Sequence, residues 1–108
     1  MKKIGVLVAL LLLLSGGACR KTDFKKVEIS VPGMKNEACV QLITDAIRKQ
    51  PGVISVETDL EAGKVTVTYN SMLVARKNLE FAVAGAGFNA DETPAFTSAV
   101  ANLPPSCR

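Results

Sequence analysis

Residues 27–47 read VEISVPGMKNEACVQLITDAI, and the spacing of the apolar residues changes midway. Val27, Ile29 and Val31 alternate with Glu28 and Ser30, the period-two pattern of a half-buried strand. Pro32-Gly33 ends that strand in a turn. From Cys39 the period lengthens. Cys39, Leu42, Ile43, Ala46 and Ile47 fall at i, i+3, i+4, i+7 and i+8, one apolar stripe of a helix. Arg48 and Lys49 suit the negative end of its dipole, and Pro51-Gly52 stops it.

Working outward, the pattern continues in both senses. Val53 to Thr58 predicts a second strand with Ile54 and Val56 as its inward pair. Asp59 to Gly63 is a polar turn in which Gly63 can take positive φ. Val65, Val67 and Tyr69 alternate with Thr66 and Thr68 in a third strand, antiparallel to the second. Ala75, Asn78, Leu79, Ala82, Val83 and Ala86 return to helical spacing, closed by Gly85 and Gly87. Phe88 to Thr93 is expected as a brief fourth strand. The order β-α-β-β-α-β predicts an α+β, ferredoxin-like sandwich, a four-stranded antiparallel sheet with two helices on one face. Leu42, Ile47, Val67 and Leu79 are expected between sheet and helices. Residues 94–108 form a tail, with a short helix through Phe96 and Val100, then Leu103, Pro104-Pro105 and Cys107.

The other end of the chain has a different composition. Lys2 and Lys3 precede an apolar run from Ile4 to Leu14, and small residues from Ser15 to Ala18 follow it. This is the layout of an export signal, residues 1–18. The run is 11 residues, whereas a membrane-spanning helix needs roughly 20. Cys19 stands directly at the expected cut. The arrangement resembles a bacterial lipoprotein lipobox, although Gly16 occupies the place usually held by Leu. Lipidation at Cys19 is the reading adopted; ordinary cleavage after Ala18 is its alternative. Both put the protein in a bacterial cell envelope, as a membrane-anchored lipoprotein or a periplasmic protein, where disulfides can form. Residues 19–24 read as a tether.

Loss of the leader removes Lys2 and Lys3, so 11 of the 13 Lys and Arg face 10 Asp and Glu and the net charge falls from +3 to +1. The 90 residues that remain suffice for one small domain. No basic stripe interleaved with aromatics is present, so nucleic-acid binding has no support.

Residues 25–93 resemble a heavy-metal-associated domain, the fold of copper chaperones, periplasmic mercury-binding proteins and the N-terminal modules of metal-pumping ATPases. The matching phrases are VPGM, Cys39 at the helix start, QPGVISVETDLEAGKVTVTYN and AVAGAGF. The family's loop is Gly-Met-x-Cys-x-x-Cys. Gly33 and Met34 match, Cys39 matches the second Cys, and Asn36 stands at the first. The resemblance implies a soft ion such as Cu(I), Hg(II) or Zn(II) as cargo, since soft sulfur suits these ions. It implies a metal-transporting membrane protein or another metal-binding domain as partner, and a monomer.

Each candidate residue has more than one reading. Cys39 at a helix N-terminus can be a thiolate, or a small core residue at the head of the apolar stripe. Met34 can ligate Cu(I) or pack beneath the loop, and packing is the stronger reading. Asn36 and Glu37 offer oxygen but make a poor cage for a hard ion. The chain has no His, which excludes imidazole ligation. Phe88 can shield the loop or simply fill the core. Cys107 can reach Cys39 if Phe96, Val100 and Leu103 pack on the domain. It then replaces the missing thiol, or closes a disulfide with Cys39; otherwise it lies idle in the tail.

Three function classes follow. The first is an exported, lipid-anchored soft-metal protein that sequesters or hands over its ion. The second is a binding or structural module whose metal site has decayed. An enzyme is third: no nucleophile–base pair, phosphate loop or carboxylate dyad is visible, and Cys-x-x-Cys is missing.

Overall fold

A computed structural model of the protein describes residues 22–108. The leader expected at residues 1–18 and the Cys19 lipidation site lie outside the described residues. The elements in chain order are β1 (Phe24–Ser30), α1 (Glu37–Arg48), β2 (Val53–Asp59), β3 (Lys64–Asn70), α2 (Arg76–Gly85), α3 (Thr97–Ala101) and a 3₁₀ turn (Pro105–Cys107). β3 is the centre of an antiparallel sheet ordered β1-β3-β2. Val27 and Val56 both pair with Val67, so one row of valines crosses all three strands. Gly63 turns the β2–β3 hairpin at φ 66°, a conformation that only Gly enters without cost.

The sheet's inner face carries Val27, Ile29, Val65, Val67 and Tyr69, all buried. Against it lie Cys39, Ile43 and Ile47 of α1 and Leu79 and Val83 of α2. The α1 trio is spaced by four residues, which stacks the three side chains on one line of the helix. Burying each Val, Leu or Ile removes enough apolar area to contribute about 1.5–3 kcal/mol.

The sequence expectations require four corrections. Among the described residues the sheet has three strands. In place of the fourth, Ala90 and Thr93 form a single isolated bridge. Asp91 is the reason. Its φ of 52° breaks the extended backbone. Its N–H donates to the Ser30 carbonyl at 2.8 Å, and its Oδ1 accepts the Ser30 N–H at 2.9 Å. One residue thus makes both bonds that a paired strand would make, and the ladder stops. Burial pushes the Asp91 carboxyl up, but the Ser30 N–H and the Arg76 guanidinium, 2.7 Å away, outweigh it and hold the group below its ordinary value.

Second, Ile54 is not inward. A register shift between Val53 and Ser55 leaves it exposed and Val56 half-buried. Third, Leu42 is 37% exposed, because the Cys39–Ile43–Ile47 line takes the centre of the stripe. Leu42 instead lines an open groove with Phe81 and Phe96. Fourth, the boundaries move at both ends of the domain. Phe24 already belongs to β1, and the Asp23 carbonyl accepts from the Ser71 N–H at 2.8 Å. Leu103 and Cys107, assigned to the tail, are part of the core.

The tail is held along its length. The Phe96 N–H donates to the Ala84 carbonyl at 3.0 Å. Leu103 lies on Gly87, where an added Cβ would stand 2.8 Å from Leu103 Cγ. Gly87 also has φ 104°, so both its backbone and the packing above it require glycine.

Candidate metal centre

The loop between β1 and α1 is built by backbone bonds. The Val31 N–H donates to the Gly63 carbonyl at 2.7 Å, and the Met34 N–H returns to the Val31 carbonyl at 3.2 Å. Met34 points inward and is 3% exposed, so its thioether is packing. Phe88 is buried beside Gly33; a Cβ there would lie 3.5 Å from the ring. Phe88 therefore floors the loop.

Asn36 is the N-cap of α1. Its Oδ1 accepts the Cys39 N–H at 3.1 Å and satisfies one of the free donors at the helix start. Glu37 follows, exposed in the first turn, where a negative charge suits the dipole. Cys39 is fully buried in that turn.

The tail brings Cys107 to this point. Cys39 and Cys107 are disulfide-bonded, with Cα atoms 5.7 Å apart across 68 residues of sequence. Asn36 Nδ2 donates to the Ser106 carbonyl at 3.1 Å. Lys35 Nζ donates to the Arg108 carbonyl at 2.7 Å, and Arg108 Nε donates to the Leu103 carbonyl at 2.9 Å. Cys39 Sγ lies 3.3 Å from Asn36 Oδ1. In the disulfide that sulfur carries no proton, so the approach is a contact.

The structure thus brings Asn36, Cys39 and Cys107 together, places Met34 and Phe88 beneath them, and leaves Glu37 outside. Lys35 and the Ser106 carbonyl were not foreseen. A backbone carbonyl leaves no mark in a sequence, and one lysine in a polar loop carries no signal. In the disulfide both sulfurs are consumed and neither can be a thiolate ligand. Reduced, they would offer two sulfurs. Among the described residues no group of three or more His, Cys, Asp and Glu is placed to hold a metal ion. Two sulfurs are the ligand number of a two-coordinate soft ion, whereas a structural Zn(II) site takes four ligands.

Known proteins share this architecture. Oxidised MerP from Ralstonia metallidurans superposes with a TM-score of 0.62 at 32% identity, over 64% of this chain and 96% of that one. The mercury-bound form of MerP, the periplasmic protein of a bacterial mercury detoxification system, gives 0.57 at 29% identity, over 64% and 96%. In sequence, the copper chaperone CopZ of Bacillus subtilis is 31% identical over 61 residues, 56% of this chain and 88% of that protein. Copper-transporting ATPase 1 of Rattus norvegicus is 35% identical over 83 residues, 72% of this chain. The match spans only 6% of that ATPase. Residues 28–89 match the heavy-metal-associated domain, and the chain belongs to that family of copper- and mercury-binding domains.

Proposed function

We propose that the protein carries one soft ion, Cu(I) or Hg(II), between Cys39 and Cys107 when the pair is reduced. The disulfide is its oxidised, closed form. One observation carries this reading: the tail delivers Cys107 to Cys39 at the start of α1. The loop thereby regains a second sulfur, which the family's loop pattern would place at Asn36. Two metal–thiolate bonds of about 2.3 Å each would hold the sulfurs roughly 4–5 Å apart. Reaching that separation shifts the closing 3₁₀ turn, which Asn36 and Lys35 hold by polar bonds. A dithiol reductant supplies the two electrons and two protons that open the bond, and metal binding releases the thiol protons.

The module is a binder and not an enzyme, and it sequesters its ion or hands it to a metal transporter or another domain of its kind. It is exported, cleaved before Cys19 and lipidated there. No helix among the described residues is long and apolar enough to cross a membrane. Mass spectrometry of the native N-terminus tests this; an unmodified Cys19 or a retained leader removes the anchor.

Titration of reduced protein against a Cu(I) chelator tests the site. The unmutated chain should bind one ion, and Cys39→Ser and Cys107→Ser should each abolish competition. A second reading, a domain that has lost its ion and kept a structural disulfide, is favoured by the burial of both cysteines. It holds if the unmutated reduced protein cannot compete; Cys107→Ser binding as well as the parent would instead remove Cys107 from the site.

A further inference from the structure

The end of the domain opposite the metal loop is apolar and basic. Phe24 opens β1 and pairs with Asn70, the last residue of β3. Ile54 protrudes where β2 shifts register, and Met72 and Leu73 follow β3 in the turn. These four are 62%, 59%, 60% and 62% exposed. They belong to one end because Asn70 gathers their segments. Its N–H donates to the Gly52 carbonyl at 2.7 Å, and its Oδ1 accepts the N–H groups of Asp23 and Met72, each at 3.0 Å. Lys25 and Lys26 of β1 and Arg48 and Lys49 at the close of α1 are exposed toward the same end. Asp23, hydrogen-bonded to Ser71 there, and Asp45, exposed one turn before Arg48 and Lys49, are acids beside them.

The described chain also starts here, at Thr22. Cys19 is five residues before Phe24, a reach of at most about 18 Å. We propose that this end lies on an anionic phospholipid bilayer, with Phe24, Ile54, Met72 and Leu73 at the headgroup boundary and the four basic residues over anionic lipid. The inference rests on Cys19 as the anchor. A short tether brings this end close to the membrane surface. The lipid fixes the chain to the bilayer, and the apolar and basic residues of this end give it a surface to rest on. The loop bearing Cys39 and Cys107 is then held at the far side of the domain, open to a partner.

Amine footprinting by mass spectrometry tests the orientation. The full chain is reconstituted on vesicles of phosphatidylethanolamine and phosphatidylglycerol, beside the Phe24→Ser, Ile54→Ser, Met72→Ser, Leu73→Ser variant. Labelling of Lys25, Lys26 and Lys49 in the parent should be at least threefold below that in the variant. Lys35 and Lys64, at the loop end, should label alike in both. If the fourfold variant misfolds, Met72→Ser, Leu73→Ser alone should give the same direction. Equal labelling in parent and variant, or protection of Lys35 and Lys64, overturns the proposal. The intact mass separates the two ideas. Protection of a chain with no lipid on Cys19 keeps the surface and removes the anchor. A lipidated chain with even labelling keeps the anchor and removes the surface.

Discussion

Asn36 holds Ser106: its side-chain amide donates to the Ser106 carbonyl at 3.1 Å while its oxygen caps α1 through Cys39. The residue that stands where the family's loop pattern has a thiol thus clamps the segment that carries another thiol. Asn36→Ala should lose the cap, about 1 kcal/mol, and loosen the tail. Asn36→Cys should raise Cu(I) affinity and make Cys107 dispensable, because both sulfurs then come from one loop. Chelator competition with Asn36→Cys and with Asn36→Cys, Cys107→Ser checks this; the two should bind alike.

Closing 68 residues with one bond restricts the unfolded chain. On chain-entropy grounds such a loop contributes about 4 kcal/mol. Reduction should lower the free energy of unfolding by about that amount, less where the docked tail offsets it. Urea denaturation with and without a dithiol measures the difference. Cys107→Ser should be insensitive to the dithiol.

Ile43 and Leu42 are neighbours with opposite surroundings. Ile43 is fully buried and Leu42 is 37% exposed. Ile43→Ala should cost about 2–5 kcal/mol. Leu42→Ala should cost less than about 1 kcal/mol. Equal shifts in the unfolding midpoint would put α1 in the wrong rotation.

Asp91 gives the fold an acid limb. Its folded carboxyl lies below the ordinary value of 3.8, so its contribution is complete above that pH and is lost as pH falls through the lowered value. Asp91→Asn keeps the acceptor for Ser30 and tolerates positive φ, but loses the charge facing Arg76. It should cost about 1 kcal/mol at neutral pH and nothing once the carboxyl is protonated. Thermal unfolding between pH 7 and pH 2 should show the parent and Asp91→Asn converging at the acid end.

Much of this fold is written in local patterns. The alternations Val27-Ile29-Val31 and Val65-Val67-Tyr69 and the stripe through Ile43 and Ile47 each declare an element and its inner face. The misses come from single residues that local pattern does not reveal. Asp91 replaces a strand's two bonds with its own backbone and side chain. A bulge beside Val53 turns Ile54 outward. The tail's docking depends on Leu103 meeting Gly87, a contact between separate segments that no period encodes. The loop resembles its family clearly enough to direct attention to Cys39. What the sequence left open was the path of the tail, and with it the partner of that sulfur.

The central claim is that Cys39 and Cys107 of one chain hold one soft ion together. X-ray absorption at the metal edge, on the reduced protein loaded with one Cu(I) and verified as a monomer, reads the sulfur count directly. Two sulfurs per ion are expected in the parent and one in Cys107→Ser. One sulfur in the parent, two retained in Cys107→Ser, or an ion bound only between two chains would contradict it.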